Sequence, residues 1–127
     1  MKKIILLLMF TPLLLATTCD DNDDDNQIVC TQEAKAGLNV SVSLGNMNSI
    51  TSEGVTVIAT DGNYIETLSV INNTDPIFFG AWERIGTYII TVSKEGYQTY
   101  TTAPITLTAD QCHVIPQFIN VALIQNN

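Results

Sequence analysis

Any chemistry in this 127-residue chain would have to come from few side chains: three cysteines, one histidine and thirteen carboxylates. Cys112 and His113 are neighbours, the one place where a thiol could meet an imidazole. Adjacent side chains of a strand point to opposite faces, so adjacency argues against contact and for a half-cystine beside a surface histidine. A lone histidine followed by Val114-Ile115-Pro116 cannot build a typical zinc site. Asp61, Glu66, Asp75, Glu83 and Glu95 are scattered. A glycosidase pair needs two carboxylates about 5–9 Å apart in a cleft, which a lone domain of this size rarely offers. The chain holds no Gly-x-Ser-x-Gly elbow and no phosphate-cradling glycine loop. These residues predict no enzyme, no catalytic group, no bound metal and no cofactor.

The third cysteine, Cys19, belongs to another pattern. Lys2 and Lys3 begin a mostly apolar run from Ile4 to Leu15, followed by the small residues Ala16, Thr17 and Thr18. As a helix that run covers about 18 Å, too short for a hydrocarbon core of ~30 Å. A basic start, a short apolar middle and a small-residue break describe an export signal over residues 1–18. A buried N-terminal helix or strand suits the charge placement less well. Small residues ending at Cys19 resemble the lipobox of bacterial lipoproteins, with Leu15 one step further back than is usual. That resemblance implies cleavage before Cys19, diacylation of its sulfur and acylation of the new amine. Two or three acyl chains, at ~0.8 kcal/mol per buried methylene, anchor far more firmly than one.

From Asp20 to Asn26 the chain is Asp-Asp-Asn-Asp-Asp-Asp-Asn. Five negative charges with no apolar partner cannot bury a core, and their repulsion keeps residues 19–29 extended as a tether. Asp21, Asp23 and Asp25 alternate like the first ligands of a calcium loop. However, Asn26 stands where the turn glycine belongs and Gln32 where the bidentate glutamate belongs. An aspartate-rich stretch after the lipidated cysteine also resembles the surface-export signal of Bacteroidetes lipoproteins. That resemblance implies an outer-membrane address facing the cell exterior.

Residues 30–127 suit one small domain and hold eight acids against three bases (Lys35, Arg84, Lys94), a net −5. Nucleic-acid binding depends on Lys and Arg neutralising phosphates, so that partner is disfavoured. With Cys19 given to the lipid, Cys30 and Cys112 form an even pair in an oxidising compartment, and a disulfide is preferred over two unpaired thiols. Closing a loop of that length contributes up to ~4–5 kcal/mol in the chain-entropy model.

The domain sequence alternates with a period of two. In "GLNVSVSLG", Leu38, Val40, Val42 and Leu44 point one way while Asn39, Ser41 and Ser43 point the other. "GVTVIAT" is a second strand ending at the turn pair Asp61-Gly62. "NYIETLSV" is a third, and "PIFFGAW" is a short fourth. "GTYIITVSK" puts Tyr88, Ile90 and Val92 on one face. "EGYQTYTT" leads into "APITLT", and "HVIPQFINVALI" closes the chain with Pro116 forcing a bend, bulge or edge. No stretch has a capped 3.6-residue period. The fold expected is all-β, an antiparallel sandwich of about seven strands.

Gly54-Val55-Thr56-Val57, Asp61-Gly62, Gly86-Thr87-Tyr88-Ile89-Ile90-Thr91-Val92 and Lys94-Glu95-Gly96-Tyr97 together resemble the carboxypeptidase regulatory-like domain. The resemblance covers roughly Val40 to Thr108 and implies a transthyretin-like (prealbumin-like) sandwich. It implies an aromatic, Tyr97, locking the turn at Gly96 against the sheet. It implies no peptidase activity, since metal-binding His and Glu of zinc carboxypeptidases belong to a separate catalytic domain.

Three aromatics are candidate ligand residues: Trp82, Tyr64 and Tyr100, which could stack on sugar faces. The competing reading makes Trp82 a cap on the core, while Glu83 and Arg84 flank the sheet end as surface charges. The Asn46–Glu53 and Asn72–Pro76 segments read as exposed recognition loops. The expectation is a lipid-anchored, non-enzymatic accessory or binding protein of the outer membrane that presents its sandwich to a protein partner or to the cell's surface layer. A carbohydrate-binding subunit of a polysaccharide-uptake system is the alternative.

Overall fold

The computed structural model describes residues 27–45 and 47–127, and among these there are strands and turns but no helix. Residues 1–18, Cys19 and the whole acidic stretch Asp20–Asn26 lie outside the described residues, as does Asn46. The strands are β1 (Ala36–Leu44), β2 (Val55–Asp61), β3 (Tyr64–Thr67), β4 (Ser69–Val70) and β5 (Ile77–Trp82). They continue with β6 (Gly86–Lys94), β7 (Tyr100–Thr101), β8 (Ile105–Leu107) and β9 (Gln117–Leu123). One sheet runs β4-β5-β1-β9 and the other β3-β2-β6-β7, with β8 pairing β6 beyond β7. The fold is an all-β sandwich, as the alternation requires. The nine strands among the described residues exceed the expected seven or so, because the runs Asn63–Val70 and Tyr97–Thr108 are each broken into two short strands.

The core lies between the sheets. Leu38, Val40 and Val42 of β1 meet Val57 and Ala59 of β2, and Tyr88, Ile90 and Val92 of β6. Each full burial of a large side chain contributes about 1.5–3 kcal/mol. The inward positions are those that the period of two selects. At the Lys94–Tyr97 turn, Gly96 takes φ 84°, and the Tyr97 N–H donates to Lys94 O (3.1 Å). The Tyr97 side chain is half-buried against the core.

Three features depart from expectation. The run Asn63–Val70 is not one strand. Leu68 turns inward, its N–H donates to Val57 O (2.8 Å), and the chain then crosses so that Ser69 and Val70 pair with Phe79 and Phe78 in the opposite sheet. Strand-to-strand pairing, invisible in the local pattern, places that break. The sandwich is also not wholly antiparallel: β1 and β9 run parallel, Leu38 opposite Gln117 through Leu44 opposite Leu123. Cys30 and Cys112, upstream of these two strands, have Cα atoms 5.2 Å apart, so both strands set out from the same end. Pro116 stands just before β9, at the sheet edge, where a missing N–H breaks no ladder.

Third, Trp82 does not cap the core. It lies outside the core cluster and is 44% exposed, while its place as the large buried aromatic is taken by Tyr88. Ala81 adopts φ 51°, in the left-handed region that L-residues rarely occupy. Past this twist the Trp82 ring rests beside Phe79, with centroids 6.3 Å apart, rather than turning inward.

Candidate functional site

The densest polar cluster gathers at the end of the sandwich where β1 and β9 begin. Glu83 follows β5 directly and holds φ 48°, a second left-handed residue. Its carboxylate reaches three pieces of chain. Oε1 accepts the Lys35 N–H (2.7 Å) and lies 2.7 Å from His113 Nδ1, while Oε2 accepts the Val114 N–H (3.0 Å). A carboxylate only accepts, so the proton sits on Nδ1 of the imidazole. In the neutral ring Nε2 then accepts from the Thr31 hydroxyl at 2.9 Å. Beside this network the sulfurs of Cys30 and Cys112 stand at disulfide-bonding distance. The Cys112 and His113 N–H groups both donate to Asp110 Oδ1 at 2.8 Å, so a short capped loop presents the two side chains.

Two carboxylates here are held below the usual range. For Glu83 the main cause is the Lys35 N–H, then the Val114 N–H, with His113 adding to both. For Asp110 the amides of His113 and Cys112 do the same. Hydrogen bonds to the charged form favour it. An open depression of about 470 Å³ lies over this end, lined in part by Gln32, Glu33, Asp110 and Gln111.

Glu83–His113–Thr31 has the carboxylate–imidazole–hydroxyl order of a hydrolytic relay. Its surroundings count against that use. An oxyanion needs convergent free donors, yet the amides of Cys112, His113 and Val114 are already spent on Asp110 and Glu83. The arrangement is a clamp: it ties the segment entering β1 to the loop preceding β9. Among the described residues no three His, Cys, Asp or Glu side chains group as metal ligands.

A second cluster stands at the β2–β3 turn. The Arg84 guanidinium lies 3.7 Å from the Tyr64 ring centroid and donates to Asp61 Oδ2 (2.9 Å) and the Tyr88 hydroxyl (2.6 Å). Tyr88 in turn donates to Arg84 O (3.1 Å). Gly86 makes room, since a Cβ there would collide with the Asp61 carboxylate. The Tyr64 hydroxyl donates to Glu66 Oε2, which also accepts the Ala81 N–H (2.9 Å). Burial, then Glu66, push the Tyr64 phenol up.

The three candidate aromatics are therefore not brought together. Tyr64 carries Arg84 on its ring. Tyr100 pairs with Val92 near the far end of β6, beside a shallow hollow with Gln98 and Ile124. Tyr64 also meets the buried Tyr88 edge-on, with ring centroids 6.4 Å apart, whereas Trp82 neighbours Phe79. Glu83 and Arg84, expected as free surface charges, are the hubs of the two networks. His113 is no loose surface histidine either, because its loop lies outside any strand and turns the ring onto Glu83. One signal in the sequence could have marked Glu83: it follows a large aromatic at a strand end, just before the only arginine. Its partners, at positions 35, 113 and 114, are too distant along the chain to infer. No protein-family model matches the chain, and no curated protein matches it.

Proposed function

We propose that the chain is a lipid-anchored, non-enzymatic binding module, a bacterial lipoprotein of the outer membrane that faces the cell exterior. Residues 1–18 serve as its export signal and acylated Cys19 with residues 20–29 as anchor and tether. Residues 30–127 form a transthyretin-like domain of the carboxypeptidase regulatory-like kind. In support of that kinship, the quoted segments fall on β2, on β6 and on the Gly96 turn between β6 and β7. The observation that carries the reading is the clamp. Cys30, Thr31 and Lys35, the first residues beyond the tether, are each fastened to the Glu83–Val114 end of the sandwich. Pull on a tether would stop at that clamp before reaching β1, the central strand of its sheet. The polar groups Glu83, His113 and Asp110 are engaged in holding it.

The test is Cys19→Ser in the full chain, expressed in a host that acylates lipoproteins. Fatty-acid labelling and membrane fractionation should both be lost, or the signal should stay uncut. Unchanged membrane association with normal cleavage sinks the proposal.

A second reading is a carbohydrate-binding subunit of an uptake system. The observation favouring it is the position of Trp82, off the core and beside Phe79 on an open sheet face.

A further inference from the structure

The sheet β4-β5-β1-β9 turns one face to the core and one to solvent. Phe78 is in the core, so its neighbour Phe79 points outward. By register Phe79 lies opposite Asn39 on one side of β1, and Phe118 lies opposite Asn39 on the other. The two phenylalanines thus stand two strand spacings apart, about 10 Å. Trp82 extends the row from β5. Phe118 is 76% exposed, while Asn39 between the rings is only 6% exposed.

The polar atoms of this face are half committed. Asn39 Nδ2 donates to Ala36 O and Gln117 O, which fixes the amide, while Oδ1 receives no protein hydrogen bond among the described residues. One row on, the Ser41 hydroxyl donates to Asn120 Oδ1, and Asn120 Nδ2 has no protein acceptor among them. A fixed acceptor, bracketed by the Phe79 and Phe118 rings, therefore sits one row from a fixed donor. The strands of this sheet carry no charge. None of the domain's eight acids and three bases falls in β1, β4, β5 or β9, whereas the other sheet carries Asp61, Glu66 and Lys94.

We infer that the solvent face of this sheet is a binding platform for a neutral polysaccharide, with Trp82, Phe79 and Phe118 stacking on sugar rings and Asn39 and Asn120 meeting hydroxyls. The inference rests on the carbohydrate-binding reading and assigns it a site. The chemistry selects this occupant. Nucleic acid and anionic lipid need cations, and charged glycans need a counter-charge, which the face lacks. A permanent protein partner would favour a continuous apolar patch, not rings separated by amides and hydroxyls. Vicinal sugar hydroxyls both donate and accept, matching the two uncommitted amide atoms, and the apolar face of a pyranose matches a ring.

The test is affinity electrophoresis of the full chain through gels containing cellulose derivatives, xylan, starch, galactomannan or β-1,3-glucan, with pectate and hyaluronate as charged comparisons. At least one neutral polymer should retard the protein. Phe118→Ala and Trp82→Ala should each weaken retardation about tenfold or more, as truncation of an anchoring aromatic does. Tyr100→Ala, at the far end of the other sheet, should leave it unchanged. Circular dichroism and thermal melts establish that each variant is folded. Because Phe118 is exposed, its variant keeps the core intact, so lost binding there cannot come from unfolding. Retardation that survives both substitutions overturns the site but leaves the carbohydrate reading standing. No retardation by any neutral polymer overturns both. Retardation by charged polymers alone, or a dimer in sedimentation that Phe118→Ala dissociates, reassigns the face and overturns the inference.

Discussion

Glu83 Oε1 lies 2.7 Å from His113 Nδ1, thirty residues away in sequence, and the same carboxylate accepts the amides of Lys35 and Val114. One side chain thereby holds together the entry to β1, the exit of β5 and the approach to β9. Its acidity records the arrangement. The two amides, Lys35 foremost, keep it ionised below the usual carboxylate range. A depressed carboxylate contributes stability that is full above its unfolded pKa, about 4.3, and is lost as pH falls through the folded value. The thermal midpoint of the protein should therefore drop on acidification below that point. Glu83→Gln should lower the midpoint at neutral pH and flatten the acid decline, as read by circular dichroism melts across pH. An unaltered acid profile in the variant refutes the hub. Asp110 contributes with the same sign.

Cys30 and Cys112 should resist alkylation until the protein is reduced, as mass spectrometry of the purified protein will show. Replacing both by serine should cost up to about 4–5 kcal/mol in denaturant melts, the chain-entropy figure for a loop of this length. A smaller loss would mean that the Glu83 network holds the same two segments without the bond. Free thiols in the native, unreduced protein contradict the pairing.

Gly80 of β5 packs against Leu68, where the chain crosses from one sheet to the other. A Cβ on Gly80 would stand 2.6 Å from Leu68 Cγ. Gly80→Ala should destabilise by roughly 1–3 kcal/mol through overpacking. Combined with Leu68→Ala, the cost should be clearly less than the sum, because the smaller residue vacates the space. Additive losses in urea melts would show that the two sites do not touch.

Ala81 occupies the left-handed region and is fully buried. Ala81→Val adds branching where backbone conformation tolerates it least, and should cost about 2 kcal/mol or more. The Trp82 signal in near-ultraviolet circular dichroism should change with it, since the φ of Ala81 places that ring beside Phe79. A silent Trp82 signal would separate the ring's position from the backbone twist.

The fold class was legible because burial on a sheet imposes a period of two, and β1, β2 and β6 carry it openly. Val57, Ala59, Tyr88, Ile90 and Val92 stand inward by that rule alone. Where the pattern misled, a longer-range contact had intervened. Nothing between Asn63 and Val70 announces that the chain leaves one sheet for the other at Leu68, because the break exists only to let Ser69 meet Phe79. Trp82 misled for another reason: hydrophobicity argues for burial, but a left-handed Ala81 turned the ring outward.

Composition and spacing alone determined an all-β domain, the pairing preference of Cys30 with Cys112, and the absence of the usual catalytic motifs, since each follows from local periodicity or from counting residue types. Tertiary structure decided the parallel run of β1 beside β9, the union of Glu83 with His113 and Lys35, and the row Trp82, Phe79, Phe118 across Asn39. Those three depend on which strands become neighbours. That choice is made by the packing of the whole core, and no short stretch of chain encodes it.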